Sequence, residues 1–208
     1  MKSIMAVKTM KAVLLGLVAV SGCITSHTLK YGFLPGSDYE FYPLTRPIDL
    51  KGRRFHYVFY DKRLEELQAK CSDLEPEKDS ELEGELGYRY FISYFRAMTD
   101  SCLGKVDSTA PDTVRVDLQV LRPKLTGFIS VTVHGIVQFA VHSADAQRVY
   151  CSDMKDGDPD SPYGTFSLAT RKSAMRAMMG ASCRRAIQQY FEEVSQSTER
   201  DSSKHKGG

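Results

Sequence analysis

The chain has 208 residues, 42% of them hydrophobic and 26% charged, so it has the composition of a globular domain able to bury a core. Its 28 Lys and Arg nearly balance 26 Asp and Glu, a formal net charge of +2. That balance gives no electrostatic case for nucleic acid or for an anionic membrane surface as partner. The first element is an export signal. Lys2, Lys8 and Lys11 precede the uncharged run Ala12 to Val20, and no acid interrupts them. The run is too short to span a bilayer, which takes about 20 apolar residues. A basic stretch, a short apolar stretch and then small residues make a secretory signal peptide over residues 1–22.

Val20-Ser21-Gly22-Cys23 ends that stretch. It resembles the lipobox of bacterial lipoproteins, which usually has Leu where this chain has Val20. The resemblance implies diacylglycerol on the Cys23 thiol, cleavage before Cys23 and acylation of the new N-terminus. Ile24, in place of Asp, implies the outer membrane by the sorting rule of enteric bacteria. Each buried methylene stabilises membrane attachment by about 0.8 kcal/mol, so several chains on one residue anchor firmly. The mature protein is then expected to be lipid-anchored to the cell outer membrane and to face the periplasm.

Four further cysteines follow: Cys71, Cys102, Cys151 and Cys183. An even number outside the cytoplasm suggests two disulfides, with three possible connectivities. The two sequence-local pairs, Cys71–Cys102 and Cys151–Cys183, are favoured. The alternative is buried thiols, since Cys102 and Cys183 fall on apolar helix faces.

Residues 23–50 read as the lipidated Cys and an extended tether. Gly32, Pro35, Gly36, Pro43 and Pro47 break regular structure there. The interleaved Tyr31, Phe33, Tyr39, Phe41 and Tyr42 suggest that part of it packs along the domain; a partner-docking strand is the bolder option. Arg54 to Tyr60 reads as a strand with Phe55, Tyr57 and Phe59 on one face. Asp61 to Cys71 suggests a short helix on Leu64 and Leu67, followed by a charged loop from Ser72 to Ser80.

Glu81 to Cys102 has the spacing of a helix, with Leu86, Tyr90, Phe91, Tyr94, Met98 and Cys102 in its stripe and Gly104 as its stop. Glu81, Glu83 and Glu85 suit the positive end of its dipole. Val114 to Leu121 alternates as a half-buried strand, Val114, Val116, Leu118 and Val120 sharing one face. Pro123 ends or bends it. Phe128 to His142 predicts a longer strand, and Arg148 to Asp153 a third after a turn. A last helix is expected from about Leu168 to Val194. Met175, Met179, Cys183, Ala186, Ile187, Tyr190, Phe191 and Val194 form its stripe, and Arg171, Lys172, Arg176, Arg184 and Arg185 its polar side. From residue 196 the chain is rich in Ser, Lys and Gly and reads as a disordered tail.

The order predicts an α+β domain over residues 51–195: two layers, an antiparallel sheet of about four strands with two main helices on one face. That layout is similar to small outer-membrane lipoproteins of the YajG and LptE types, a resemblance of topology and address with no residue-level motif.

Candidate chemistry is sparse. His134 and His142 share a strand face but stand about 26 Å apart along it, too far to hold one metal; they read as solvent-facing. Asp156, Asp158 and Asp160 have the spacing of a calcium loop, yet Ser161 replaces its glycine and Ser167 its glutamate. With Asp153 they read as a solvated acidic turn. No nucleophile elbow and no glycine-rich phosphate loop occurs in the sequence, so no catalytic residue, no metal site and no cofactor is expected. The Arg184–Arg185 pair makes a basic helix face, and a site for an acidic partner such as lipopolysaccharide phosphate is its second reading. The functional expectation is a non-enzymatic binding or assembly subunit of the envelope. Its partners would be the membrane, through the lipid, and an envelope protein, with no nucleic acid. An envelope hydrolase or a purely structural lipoprotein are the alternatives.

Overall fold

The computed structural model describes residues 32–33, 40–65, 68–74, 84–111, 113–127, 131–143, 146–162 and 171–204. The signal segment and Cys23 lie outside the described residues. In chain order the elements are β1 (Gly32–Phe33), β2 (Glu40–Phe41), β3 (Arg54–Asp61), a 3-10 turn (Arg63–Glu65) and α1 (Glu85–Ser101). There follow β4 (Lys105–Val106), β5 (Thr113–Thr126), β6 (Thr132–His142), β7 (Gln147–Lys155) and α2 (Arg171–Lys204).

The main sheet has five strands in the order β4-β3-β5-β6-β7 and is mixed. β3 runs parallel to both β4 and β5, while β5, β6 and β7 form antiparallel pairs. The α+β class stands, but the expected all-antiparallel sheet of about four strands is corrected. The cause is connectivity. β5 and β6, like β6 and β7, are joined by short links that reverse the chain, whereas α1 lies between β3 and β5. A strand that returns through a crossover helix pairs parallel to the strand it left. The helix expected over Asp61 to Cys71 is reduced among the described residues to the 3-10 turn, on which Leu64 is exposed. β1 and β2 pair antiparallel within residues 23–50, which read from the sequence as an extended tether packing in part along the domain.

Both helices cover one face of the sheet. Phe55 and Tyr57 of β3, Val116 and Leu118 of β5 and Phe139 of β6 meet Phe91, Phe95, Ile187 and Phe191 there. Phe95, absent from the predicted stripe, is central: its ring lies 5.0 Å from Tyr57, 5.6 Å from Phe59 and 5.7 Å from Phe139. Leu86, by contrast, is 66% exposed, because α1 begins at Glu85 and its first turn lies beyond the sheet contact. α1 ends with Leu103, not Gly104, in the left-handed conformation (φ 57°), while the Gly104 N–H donates to the Thr99 carbonyl. α2 continues beyond Val194 to Lys204, so the tail expected from residue 196 is helical as far as that residue. Glu, Gln, Arg and Lys favour helix more than the segment's serines oppose it.

β5 departs from strict alternation. Its pairing with β6 shifts between Leu118 and Val120, leaving Gln119 as the extra residue of a β-bulge. The shift reverses the phase of the strand. Leu121 therefore joins Val116 and Leu118 in the main core, and Val120 turns to the far face, against Ala69 and Ile136. Pro123 does not end the strand. β3 accompanies β5 only to Leu118, so Pro123 lies where that side of β5 is an edge, which tolerates a missing N–H.

The cysteines are divided by the sheet. Cys71 is bonded to Cys151, 80 residues away, with Cα atoms 5.6 Å apart. Cys102 and Cys183 are free and buried in the core. The two local pairs favoured from sequence do not form, for a steric reason. Along β7, Tyr150 faces the helices and Cys151 the opposite side, so each local pair would have to bridge the sheet. Closing so long a loop contributes about 4 kcal/mol in the chain-entropy account. Burial pushes the Cys102 thiol up to about 12 and Cys183 further in the same direction, which keeps both protonated and unreactive.

α2 approaches its neighbours through two glycines. A Cβ on Gly135 of β6 would stand 2.4 Å from the Met178 carbonyl oxygen. A Cβ on Gly180 would stand 2.7 Å from the Glu40 carbonyl oxygen and 2.9 Å from the Tyr42 ring. Both clashes involve backbone, which has nowhere to move without lifting the helix. Gly135→Ala is therefore expected to destabilise the protein by about 3 kcal/mol, read as a lower denaturant midpoint. An unchanged midpoint would contradict this packing.

Candidate binding site

The histidines do not behave as bare surface groups. His134 is 8% exposed, and its Nδ1 lies 2.9 Å from Asp153 Oδ1. A carboxylate only accepts, so Nδ1 carries the proton and Nε2, 3.2 Å from Thr126 Oγ1, can accept from that hydroxyl. His142 Nε2 contacts Asp117 Oδ2 at 3.1 Å, and Arg115 grips the same carboxylate with Nε at 2.7 Å and Nη2 at 2.8 Å. Both histidines lie on the sheet face opposite the helices, and each bridges strands. The reading of both as solvent-facing is corrected: each has a carboxylate partner on a neighbouring strand.

The acidic loop is likewise occupied with its own chain. Asp153 holds His134; Asp156 accepts from the Val133 N–H at 3.3 Å and Asp158 from the Lys155 N–H at 3.1 Å. Asp160 takes a left-handed φ of 68° and presents its carbonyl to Arg184. Among the described residues, no three His, Cys, Asp or Glu side chains are grouped to hold a metal.

The basic pair on α2 is where a cavity opens. It has a volume of about 380 Å³ and is lined by Thr45 and Arg46 from the N-terminal segment, Asp160 from the loop, and Arg184, Arg185 and Gln188 from α2. Residues 40–50 are part of the domain: Tyr42, Ile48 and Leu50 are buried. The Tyr42 N–H donates to Tyr94 Oη at 3.0 Å, and that hydroxyl donates back to the Tyr42 carbonyl at 3.1 Å. The Thr45 N–H donates to Gln188 Oε1 at 3.2 Å, and Gln188 Nε2 returns a bond to Thr45 Oγ1 at 2.9 Å. Arg46 closes the far wall by pairing with Glu192 at 2.5 Å.

Arg184, assigned to the polar side of the helix, is instead 2% exposed. Its Nη2 donates to the Asp160 carbonyl at 3.1 Å, while its Nε is buried without a partner. Burial pulls its pKa down from the ordinary value, with Asp160 and nearby tyrosines opposing that shift; a guanidinium stays charged regardless. Arg185 is more open. It reaches the Pro159 carbonyl at 3.4 Å and Asp158 at 3.8 Å. Two cationic forks thus converge on one cavity with few anionic partners. Arg184 and Gln188 are four apart, one turn beyond Gly180 and Ala181, so α2 carries a second buried stripe. The spacing was visible in the sequence, but its cover, residues 40–50, reads there as tether.

A second cavity of about 240 Å³ lies beside the next turns of α2, between Phe55, Val141, Tyr150, Tyr190 and Val194. Its polar groups are already paired: Arg148 and the Tyr150 hydroxyl both bond Glu193, at 2.5 and 2.8 Å.

The Asp117 cluster yields a pH test. Burial alone would raise its carboxyl, but the paired Arg115 and His142 outweigh burial and hold it below the ordinary value. A depressed folded-state value stabilises the fold above the unfolded pKa, about 3.9, and that gain is lost as pH falls through the folded value. Asp117→Asn is expected to cost about 1–3 kcal/mol at neutral pH. The gap to wild type should narrow below about pH 4, as measured by denaturant titration at both pH values.

No protein-family model matches the sequence, and neither does any curated protein. Among solved structures, the chain is similar to protein XCC0632 of Xanthomonas campestris, a DUF330 protein, at 9% identity and a TM-score of 0.46, covering 78% of this chain and 94% of that one. It is also similar to an uncharacterised protein at 11% identity and a TM-score of 0.41, covering 74% and 97%. A minor lipoprotein from Acinetobacter baumannii aligns at 10% identity and a TM-score of 0.36, covering 73% of this chain and 96% of the other.

Proposed function

We propose that the protein is a cell-envelope lipoprotein, held through lipid on Cys23 at the periplasmic face of the outer membrane, and that it acts there as a non-enzymatic binding subunit. The observation that carries the binding part is the arginine-lined cavity, built between the segment that leads from Cys23 and helix α2. The lipobox-like Val20 to Cys23 supports the anchor, and among the described residues no helix is long and apolar enough to cross a membrane. The chain between Cys23 and Glu40 reaches at most about 60 Å when fully extended, so the anchor would hold the cavity close to the bilayer. An envelope protein partner belongs to the same reading.

Intact mass of the protein extracted from membranes tests the anchor. The expected chain begins at Cys23, carries acyl mass, has the Cys71–Cys151 bond closed and offers two thiols to alkylation after unfolding. A soluble chain that still begins at Met1 without acylation would remove this reading.

The alternative of an envelope hydrolase has one observation in its favour. Thr126, His134 and Asp153 stand in the order hydroxyl, imidazole, carboxylate that activates a nucleophile. Neither cavity described above reaches these residues, and the three side chains equally serve to bridge three strands. The binding reading expects no labelling of the full chain by a fluorophosphonate probe. Labelling that disappears in Thr126→Val and His134→Gln would replace it with the hydrolase.

A further inference from the structure

We propose that the cavity between residues 45–46 and α2 binds a phosphate group that carries a cation beside it, the phosphate held by Arg184 and Arg185 and the cation by Asp160. The inference rests on the reading of the chain as a binding subunit and names the class of ligand.

The argument starts from an incomplete donor set. A guanidinium presents five N–H donors in a rigid fork and matches the oxygens of a phosphate bidentately. Arg184 is buried, yet among the described residues its one side-chain hydrogen bond is to the Asp160 carbonyl, and its Nε has no acceptor. Among the described residues no carboxylate forms an ion pair with it. A buried charge with no carboxylate in contact is costly, and folds retain one where something else completes it. Arg185 lies beside it on the same cavity, with a single ion pair at 3.8 Å.

The remaining charges in the wall decide what kind of anion fits. Glu192 is neutralised, bonded by Arg46 at 2.6 Å and by Gln188 at 2.8 Å. Asp158, which is not part of the lining, accepts the Lys155 N–H and faces Arg185 at 3.8 Å. Asp160, by contrast, lines the cavity as an exposed residue, and among the described residues its carboxylate takes no hydrogen bond or ion pair. Two guanidinium groups with unfilled donors beside one exposed carboxylate complement a zwitterion better than a bare polyanion. The volume, about 380 Å³, accommodates a group of the size of phosphoethanolamine. Such a group could be the headgroup of a bilayer lipid or a free phosphoester, and both present the same chemistry.

The experiment uses the full chain, purified in non-ionic detergent and titrated by calorimetry with O-phosphoethanolamine, with inorganic phosphate, and with micelles doped with phosphatidylethanolamine. Saturable binding of O-phosphoethanolamine, tighter than inorganic phosphate, is expected. Arg184→Gln should weaken it by about tenfold or more, the loss of a charge-assisted bond. Arg185→Gln, at a more open position that leaves folding intact, should weaken it by several-fold. Asp160→Asn should abolish the preference for O-phosphoethanolamine over phosphate. Arg148→Gln, at the other cavity, should change nothing. Tighter binding to doped micelles than to the free phosphoester assigns the ligand to the bilayer, and the reverse assigns it to solution. Absence of saturation by both phosphoethanolamine forms, or binding unaltered in Arg184→Gln and Arg185→Gln, overturns the proposal. Either result stands apart from the intact-mass measurement, which tests the anchor alone.

Discussion

Helix α2 lies closer to its surroundings than side chains would allow, and much of the structure follows from that contact. Gly135 lets the Met178 backbone settle on β6, and Gly180 lets Glu40 and Tyr42 settle on the helix. One helix is therefore clamped between the sheet below and residues 40–50 alongside. Met179, Cys183, Ile187 and Phe191 fill the main core on one side of it. Ala177, Met178 and Ala181 pack with Tyr42, Val133 and Met154 on the other. Because two faces of α2 are covered, a residue that would be solvated on an ordinary surface helix is enclosed. Arg184 is that residue, and the cavity beside it is walled by Thr45, Arg46 and Asp160.

The sequence was legible where a single periodicity ran undisturbed. Phe55, Tyr57 and Phe59 alternate through β3, and Val133 to Val141 through β6, as the period of two requires. Tyr90, Phe91, Tyr94 and Met98 recur on α1 as predicted. It was not legible where one local event reset the period or where distant segments met. The Gln119 bulge moved Val120 and Leu121 to opposite faces, and nothing in the side chains of β5 announces an inserted residue. The parallel pairing of β3 with β5 is a matter of connection rather than of composition. Arg184 and Gln188 looked polar because the segment that covers them, with its prolines, reads as a linker. The binding site was thus half visible, as an arginine pair, and its depth was not.

The far face of the sheet follows a different logic. Its interior positions hold polar groups that complete one another across strands: His134 with Asp153 and Thr126, Gln138 with Gln119 at 2.8 Å, and Asp117 with Arg115 and His142. Gln138 also accepts the Lys70 N–H at 2.6 Å, next to the Cys71–Cys151 bond. The segment over this face is held by a covalent bond and by amide groups, with a small apolar cluster of Ala69, Val120 and Ile136 beneath it. An apolar core on one side of the sheet and a polar, cross-linked seal on the other explain why the two classes of cysteine never meet.

The reciprocal bonds between Tyr42 and Tyr94 have a mechanical consequence. Tension applied to the chain from its N-terminal side meets β2 and the Tyr42 backbone first, and there one phenol holds both the N–H and the carbonyl. The Thr45–Gln188 and Arg46–Glu192 links come next along the same line. They pass the load to α2 before it reaches β3. A pull on residues 40–46 would thus be shared by the two helices, and the same bonds border the arginine cavity.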